Sequence, residues 1–202
     1  NSNGTTLNPS LDFGFNPLFS LGNRVWFDTD NSSTINGAEV GIDNVRVELY
    51  RDDGSTPGVW DSLDTPAGFD LTDANGYYRF DGLDADDYVV VIPSSQFGAG
   101  GPLDRYWSSG TNIANNGTVT DSTSNDPDND ADSDDNGITT FTGNNINYVS
   151  SQAVTLGPGL SEPINDNDPT TNPEPGEAPN DRSNRTLDFG FYRAELGNQV
   201  FW

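Results

Sequence analysis

Two stretches of this chain space oxygen-bearing side chains in a way that could hold a hard cation. The first runs from Asp28 to Glu39. Read as a twelve-residue calcium loop, it puts Asp28, Asp30, Ser32, Asn36 and Glu39 at positions 1, 3, 5, 9 and 12, with the Thr34 carbonyl at position 7. Calcium takes six to eight oxygens, and alternate residues of a tight loop can converge on one point. Ser33 stands where such loops normally carry glycine, so the sharp turn there must be made under strain or differently. The second stretch alternates Asp126, Asp128, Asp130, Asp132 and Asp134 and ends in Asn136-Gly137. Its last part is the D-x-D-x-N-G opening of a calcium loop, but a closing acid at position 12 is missing, since Gly143 falls there. A solvated loop is the alternative reading of the first stretch, and a disordered acidic linker that of the second. Asp166 and Asp168 are weaker candidates, and Asp73 and Asn75 read as turn residues.

Composition removes most other chemistry. The 202 residues hold 32 acids, eight basic residues (all arginine), and no histidine, cysteine, lysine or methionine. Without histidine or cysteine there is no Ser-His-Asp or Cys-His nucleophile and no zinc site of the usual ligand types. Without lysine there is no Schiff base. A formal charge of -24 repels nucleic acid and anionic membrane surfaces, so neither is an expected partner. No stretch approaches the roughly 20 apolar residues of a membrane helix. Paired carboxylates of a glycoside hydrolase would need a particular separation, and nothing among so many acids marks out a pair. The chain is expected not to be an enzyme. Its 11 Phe, 7 Tyr and 4 Trp nevertheless argue for a real core.

The elements that must carry the acidic loops read as strands. Val45 to Tyr50 alternates with period two, as do the residues around Tyr78 to Phe80, and Tyr88 to Ile92 is a β-branched run. Leu21 to Phe27 and Leu187 to Phe191 read as an opening and a closing strand, Phe141 to Val149 as a short strand, and Ala153 to Leu156 as another. Asp52-Asp53-Gly54, Asn75-Gly76, Asp81-Gly82 and Gly157-Pro158-Gly159 mark turns. No segment shows a sustained helical period. The pattern predicts an all-β antiparallel β-sandwich, with long polar loops at 108–137 and 161–182 that calcium would organise.

The chain also repeats. LDFGF occurs at 11–15 and at 187–191, and each copy is followed by a related strand, LGNRVWF at 21–27 and LGNQVFW at 196–202. The spacing predicts a tandem array with a unit of about 175 residues. Residues 1–15 would close a preceding repeat, 16–193 would form one complete sandwich, and 194–202 would open the next. Such a chain reads as a mature or internal piece of something longer. The connection from Tyr192 to Glu195 is short, which predicts a semi-rigid rod; strand donation between separate subunits, with 1–15 completing a neighbour, is the alternative.

Leu21 to Asp28, Gly41-Ile42 and Val45 to Leu49 resemble the opening of a serine-aspartate-repeat B-like domain. Thr72 to Leu83 and Asp87 to Val91 resemble its middle hairpin. Asp132 to Gly137 and Ser183 to Phe191 are similar to its long, aspartate-rich bacterial form, so the likeness runs from about residue 21 to 192. The resemblance implies an Ig-like or prealbumin-like (Cna B-type) β-sandwich, calcium in the aspartate loops, and service as a stalk or spacer in bacterial surface proteins. In the first loop Ser32-Ser33 replaces the family's usual Asn/Asp-Gly. Related pilin domains carry Lys–Asn isopeptide cross-links, which a chain without lysine cannot form. Lacking cysteine as well, it is left with calcium as the candidate brace.

The leading expectation is therefore a structural repeat of an extracellular filament, stalk or surface layer, whose partners are neighbouring copies of itself. The competing expectation is an adhesin module for a host ligand or glycan, with Trp60, Tyr106 and Trp107 as a stacking surface; burial of those rings in the core is the plainer reading.

Overall fold

The computed structural model describes residues 17–121, 124–129, 134–143, 145–160 and 175–193. The expected strands of neighbouring repeats at 1–15 and 194–202 lie outside the described residues, as do Asp130, Asp132, Asp166 and Asp168.

Thirteen strands form the described fold: β1 (Phe19–Phe27), β2 (Arg46–Arg51), β3 (Thr65–Leu71), β4 (Tyr77–Leu83), β5 (Asp86–Pro93), β6 (Trp107–Ser108), β7 (Asn112–Ile113), β8 (Val119–Thr120), β9 (Ile138–Thr142), β10 (Asn145–Ser150), β11 (Val154–Leu156), β12 (Ser183–Asn184) and β13 (Phe189–Tyr192). One sheet follows the order β12-β1-β13-β6, with β4 on the other side of β1. The second follows β3-β2-β5-β10-β9, with β11 also pairing β5. β7 and β8 make a small separate hairpin. Among the described residues no helix is long and apolar enough to cross a membrane.

Alternation explains the core. Val45, Val47 and Leu49 face inward around and along β2, and Tyr88, Val90 and Ile92 do so on β5. Leu21 and Val25 of β1, and Leu187, Phe189 and Phe191 at the closing strand, meet them from the facing sheet, all with no exposed surface. The all-β sandwich expected from the sequence is what the chain forms. Val89 and Val91, on the opposite face of β5, are buried as well. The β2–β3 loop lies over that face, where Trp60 packs edge-on between Tyr50 and Tyr148 at centroid distances of 5.6 and 4.6 Å. Trp60 thus belongs to a small second core.

Three differences from the sequence reading have physical causes. The stretch from Phe141 to Val149 forms part of a hairpin, β9 and β10, turning at Gly143 (φ +64°). β3 carries no readable alternation because it is an edge strand, exposed along nearly all its length and containing Pro66. The first sheet is also mixed: β1 pairs antiparallel with β4 but parallel with β12 and β13. Between the two parallel segments the ladder is interrupted, and there the buried Asp188 carboxylate accepts the Arg24 N–H at 3.0 Å. Tyr78 donates its hydroxyl to the Leu187 carbonyl at 2.8 Å and ties the closing strand to β4.

Parallel pairing of the first and last strands has a topological result. Val25, Trp26 and Phe27 lie beside Phe189, Gly190 and Phe191 in the same direction. The chain therefore enters the sheet at Phe19 and leaves it at Tyr192 at opposite ends of β1, whose nine residues span about 30 Å at roughly 3.3 Å per residue.

Candidate metal centre

β1 delivers Asp28 to the end of the sandwich, where its N–H donates to the Phe191 carbonyl at 2.9 Å. The chain then loops out and returns along β1: Phe27 N–H donates to the Val40 carbonyl at 2.8 Å, and Ile42 N–H to the Val25 carbonyl at 2.9 Å. That return needs Gly41, because a Cβ there would lie 1.7 Å from the Asn75 carbonyl oxygen. By closing the arm onto β1, the glycine brings Glu39 beside Asp28.

Inside the loop the donors expected from the sequence converge. Carboxylate oxygens of Asp28, Asp30 and Glu39 lie within 4.8 Å of one another. Glu39 closes the loop, accepting the Thr29 N–H at 2.6 Å and the Asn36 N–H at 3.1 Å. Asp28 has no exposed surface and accepts from Ser32 N–H (3.1 Å), Ser33 N–H (2.8 Å) and the Ser109 hydroxyl (2.8 Å). The Asn36 amide nitrogen sits amid the others, 2.9 Å from Ser32 Oγ, 3.3 Å from the Thr34 carbonyl and 3.4 Å from an Asp30 oxygen. Hydrogen bonds from Ser32 and then Asn36 hold the Asp30 carboxyl below its ordinary pKa, against a partly opposing effect of desolvation.

This donor set fits calcium. Asp28, Asp30, Ser32, the Thr34 carbonyl, Asn36 and Glu39 would all present oxygen, and rotating the Asn36 amide by half a turn puts Oδ1 where the donor nitrogen now points. The strain expected at Ser33 is present, since its φ is +57°, in the left-handed region that glycine adopts without penalty. Replacing Ser33 with glycine should leave thermal stability unchanged or raise it by up to about 1 kcal/mol, the relief of strain being offset by glycine's chain entropy. A lowered melting temperature for Ser33→Gly would contradict this.

The second acidic stretch is arranged differently. Asp126 makes a local turn, accepting from the Asp128 N–H at 3.1 Å and the Asn129 amide at 3.0 Å. Asp128 accepts the Thr155 N–H at 2.8 Å, and burial raises its pKa. Asp134 pairs through its backbone with Thr34, and its side chain accepts the Asn125 amide. Asn136 is fully buried as a staple on the closing strand, with its Oδ1 accepting the Asp188 N–H at 2.9 Å and its own N–H reaching the Asp188 carbonyl at 2.9 Å. The structure thus brings the first loop's six donors together, while the described members of the second set serve separate backbone and side-chain partners.

Asp135 was not singled out by the sequence reading, although it breaks the alternation of its neighbours. It is buried and accepts the Gly190 and Gly137 N–H groups at 3.0 and 3.1 Å. Burial pushes its carboxyl well above the ordinary range, opposed by those two N–H bonds and reinforced by the charges of Asp121 and Asp28. Its N–H also donates to the Ser33 carbonyl at 3.2 Å. With the Thr34–Asp134 bridge, this joins the two acidic loops at the end of the sandwich where the chain leaves. Elsewhere the acids act as loop braces. Asp61 accepts N–H groups from Ser55, Thr56 and Leu63, and Asp73 those of Asn75 and Tyr77, the turn role expected of it.

The sandwich and its β1 loop define a class. Residues 19–101, from β1 through β5 and the first loop, match the family model described as SdrD B-like domain. Serine-aspartate repeat-containing protein C of Staphylococcus aureus strain MRSA252 is 37% identical over 87 residues, covering 42% of this chain and 8% of the relative. The same protein from strains Newman and USA300 gives the same identity and coverage. These findings bear out the resemblance over that stretch, and the chain spans 8% of the length of the curated relatives it matches. A 9R-lipoxygenase from Cyanothece PCC8801 aligns over 89% of this chain and 18% of its own at 12% identity with a TM-score of 0.29, a likeness that carries no argument.

Proposed function

We propose that the chain is a structural repeat of an extracellular bacterial filament, stalk or surface-layer protein, located at the cell surface and stiffened by calcium. The convergence of Asp28, Asp30 and Glu39, with Ser32, Thr34 and Asn36 around them, carries the reading. A bound calcium ion would supply the positive charge that this set of oxygens lacks. The chain's own residues do the rest. Asp28 fixes the loop to the sheet, Glu39 closes it, and Ser33 and Thr34 tie it to the second acidic loop.

Two further observations support an array. The parallel β1–β13 pair separates entry and exit to opposite ends of the sheet, the arrangement a linear string of repeats needs. The recurrence of LDFGF and of the strand after it supplies the repetition. The absence of histidine, cysteine and lysine leaves catalysis outside this reading. Electron microscopy of the native material tests it. Thin rods or fibres with a regular axial repeat are expected, whereas isolated globular particles would contradict an array.

A further inference from the structure

Arg105 stands apart from every other basic residue in this chain. Arg46, Arg51, Arg79 and Arg185 are paired with Glu48, Asp86, Asp81 and Glu177 at 2.7 to 3.1 Å. Arg24 donates to the Asn75 carbonyl, Arg182 lies 4.0 Å from Asp181, and Arg193 sits over the Tyr106 ring. Arg105 alone of the arginines has no side-chain hydrogen bond, ion pair or ring contact to the described residues, although the chain holds 32 acids for eight arginines. It is also strained. Tyr106 N–H donates to the Leu103 carbonyl at 3.0 Å, closing a turn in which Arg105 takes the third position with φ +67°. That position favours glycine or asparagine. An exposed side chain held in an unfavourable backbone conformation, with no bond to the other described residues, gains nothing from them by being arginine.

The same residue lines a cavity of about 400 Å³ at the open side of the sandwich, between β6 of one sheet and β10 of the other. Phe97, Tyr106, Trp107 and Ile146 are its apolar lining, and Ser94, Asn145 and the Asp104 carboxylate line it beside Arg105. The volume lies in the roughly 300–1,000 Å³ range of small-molecule sites. Tyr106 is fixed by an edge-on contact with Phe27 at 5.5 Å, and the Trp107 indole N–H has no acceptor among the described residues.

We propose that this cleft binds a carboxylate-bearing sugar, a uronic or sialic acid residue at the end of a glycan. The aromatic wall takes the apolar face of the ring, the Trp107 N–H and the rim groups meet its hydroxyls, and the Arg105 fork holds the carboxylate. A net charge of -24 and the Asp104 carboxylate in the lining weigh against an acidic peptide with several charges, whereas one carboxylate on an otherwise neutral ring needs only the Arg105 fork. The site is independent of the calcium reading, and its test reads a different quantity.

Saturation-transfer NMR and calorimetry on the full chain would use a trisaccharide ending in a uronic acid and its carboxyl-reduced neutral counterpart. The acidic sugar is expected to bind at least about tenfold more tightly than the neutral one, the equivalent of about 1.4 kcal/mol. Arg105→Gly should abolish that preference while leaving the melting temperature unchanged or higher, because it removes the strain together with the cation. Trp107→Ala should weaken both sugars. The proposal is overturned if neither sugar binds, if both bind equally to the unaltered chain, if Arg105→Gly binds as before, or if only an acidic peptide binds.

Discussion

Replacing Asp28 with alanine is expected to destabilise the fold by about 3 kcal/mol even without calcium. The carboxylate is fully buried and accepts three bonds, from Ser32 N–H, Ser33 N–H and the Ser109 hydroxyl. Each hydrogen bond to a charged group contributes roughly 1.5–3 kcal/mol, and the buried Ser109 hydroxyl would lose this acceptor. Water can replace part of this at the exposed Ser32, which keeps the total below the simple sum. For a domain of 150–250 residues about 3 kcal/mol corresponds to a fall of roughly 6–12 °C in melting temperature. Asp28→Asn, which keeps the size and one acceptor, should fall less. Calcium should stabilise the unaltered chain and add little to Asp28→Ala, so the gap between them widens when the ion is present. Differential scanning calorimetry measures both effects, and an unchanged melting temperature for Asp28→Ala would contradict the role assigned to it.

Glu177 should be as sensitive for a different reason. Its carboxylate lies 3.1 Å from Arg185 Nη1 and accepts the Ser183 hydroxyl at 2.7 Å, while the Arg79 guanidinium approaches it at 3.6 Å. The Glu177 and Arg185 side chains are 0% and 3% exposed. Removing one partner of a buried ion pair typically costs 3–5 kcal/mol, because the other charge stays in a medium that cannot solvate it. Glu177→Ala should therefore lose about that much. The Glu177→Met/Arg185→Met double variant should recover much of the loss, since an apolar replacement of the whole pair is often close to neutral. Urea denaturation of the two variants beside the unaltered chain measures both losses. A double variant as unstable as Glu177→Ala would show that the penalty lies in packing rather than in the unpaired charge.

The contrast between these two residues shows what the sequence could and could not reveal. Asp28 was legible because the β1 loop is local: its ligand pattern lies within twelve residues, and the apolar alternation of Leu21 to Phe27 places it at a strand end. Most of the large strands were legible for the same reason, each burying one face of a short alternating run. Glu177 was hidden in a polar, proline-rich stretch, because its partners come from β4 and from residues just before the closing strand. Nothing local distinguishes an acid that will be buried by such partners from one that faces water. Asp135 was obscured similarly, since its two N–H donors include Gly190, 55 positions away. Asn136 matched a calcium motif by spacing, yet its amide is engaged by the Asp188 backbone. The parallel pairing of β1 with β13 could not be read from either strand's own pattern, because alternation reports which face is buried and not the direction of the neighbour.

The most direct test of calcium stiffening is the melting temperature of the full chain in excess calcium and in EGTA, with magnesium as control. One site at 100 times its dissociation constant stabilises the fold by about 2.7 kcal/mol, or roughly 5–10 °C for a chain of this size. The account predicts at least that rise with calcium, its loss in EGTA, and a much smaller shift with magnesium. Identical melting temperatures in calcium and EGTA would contradict it.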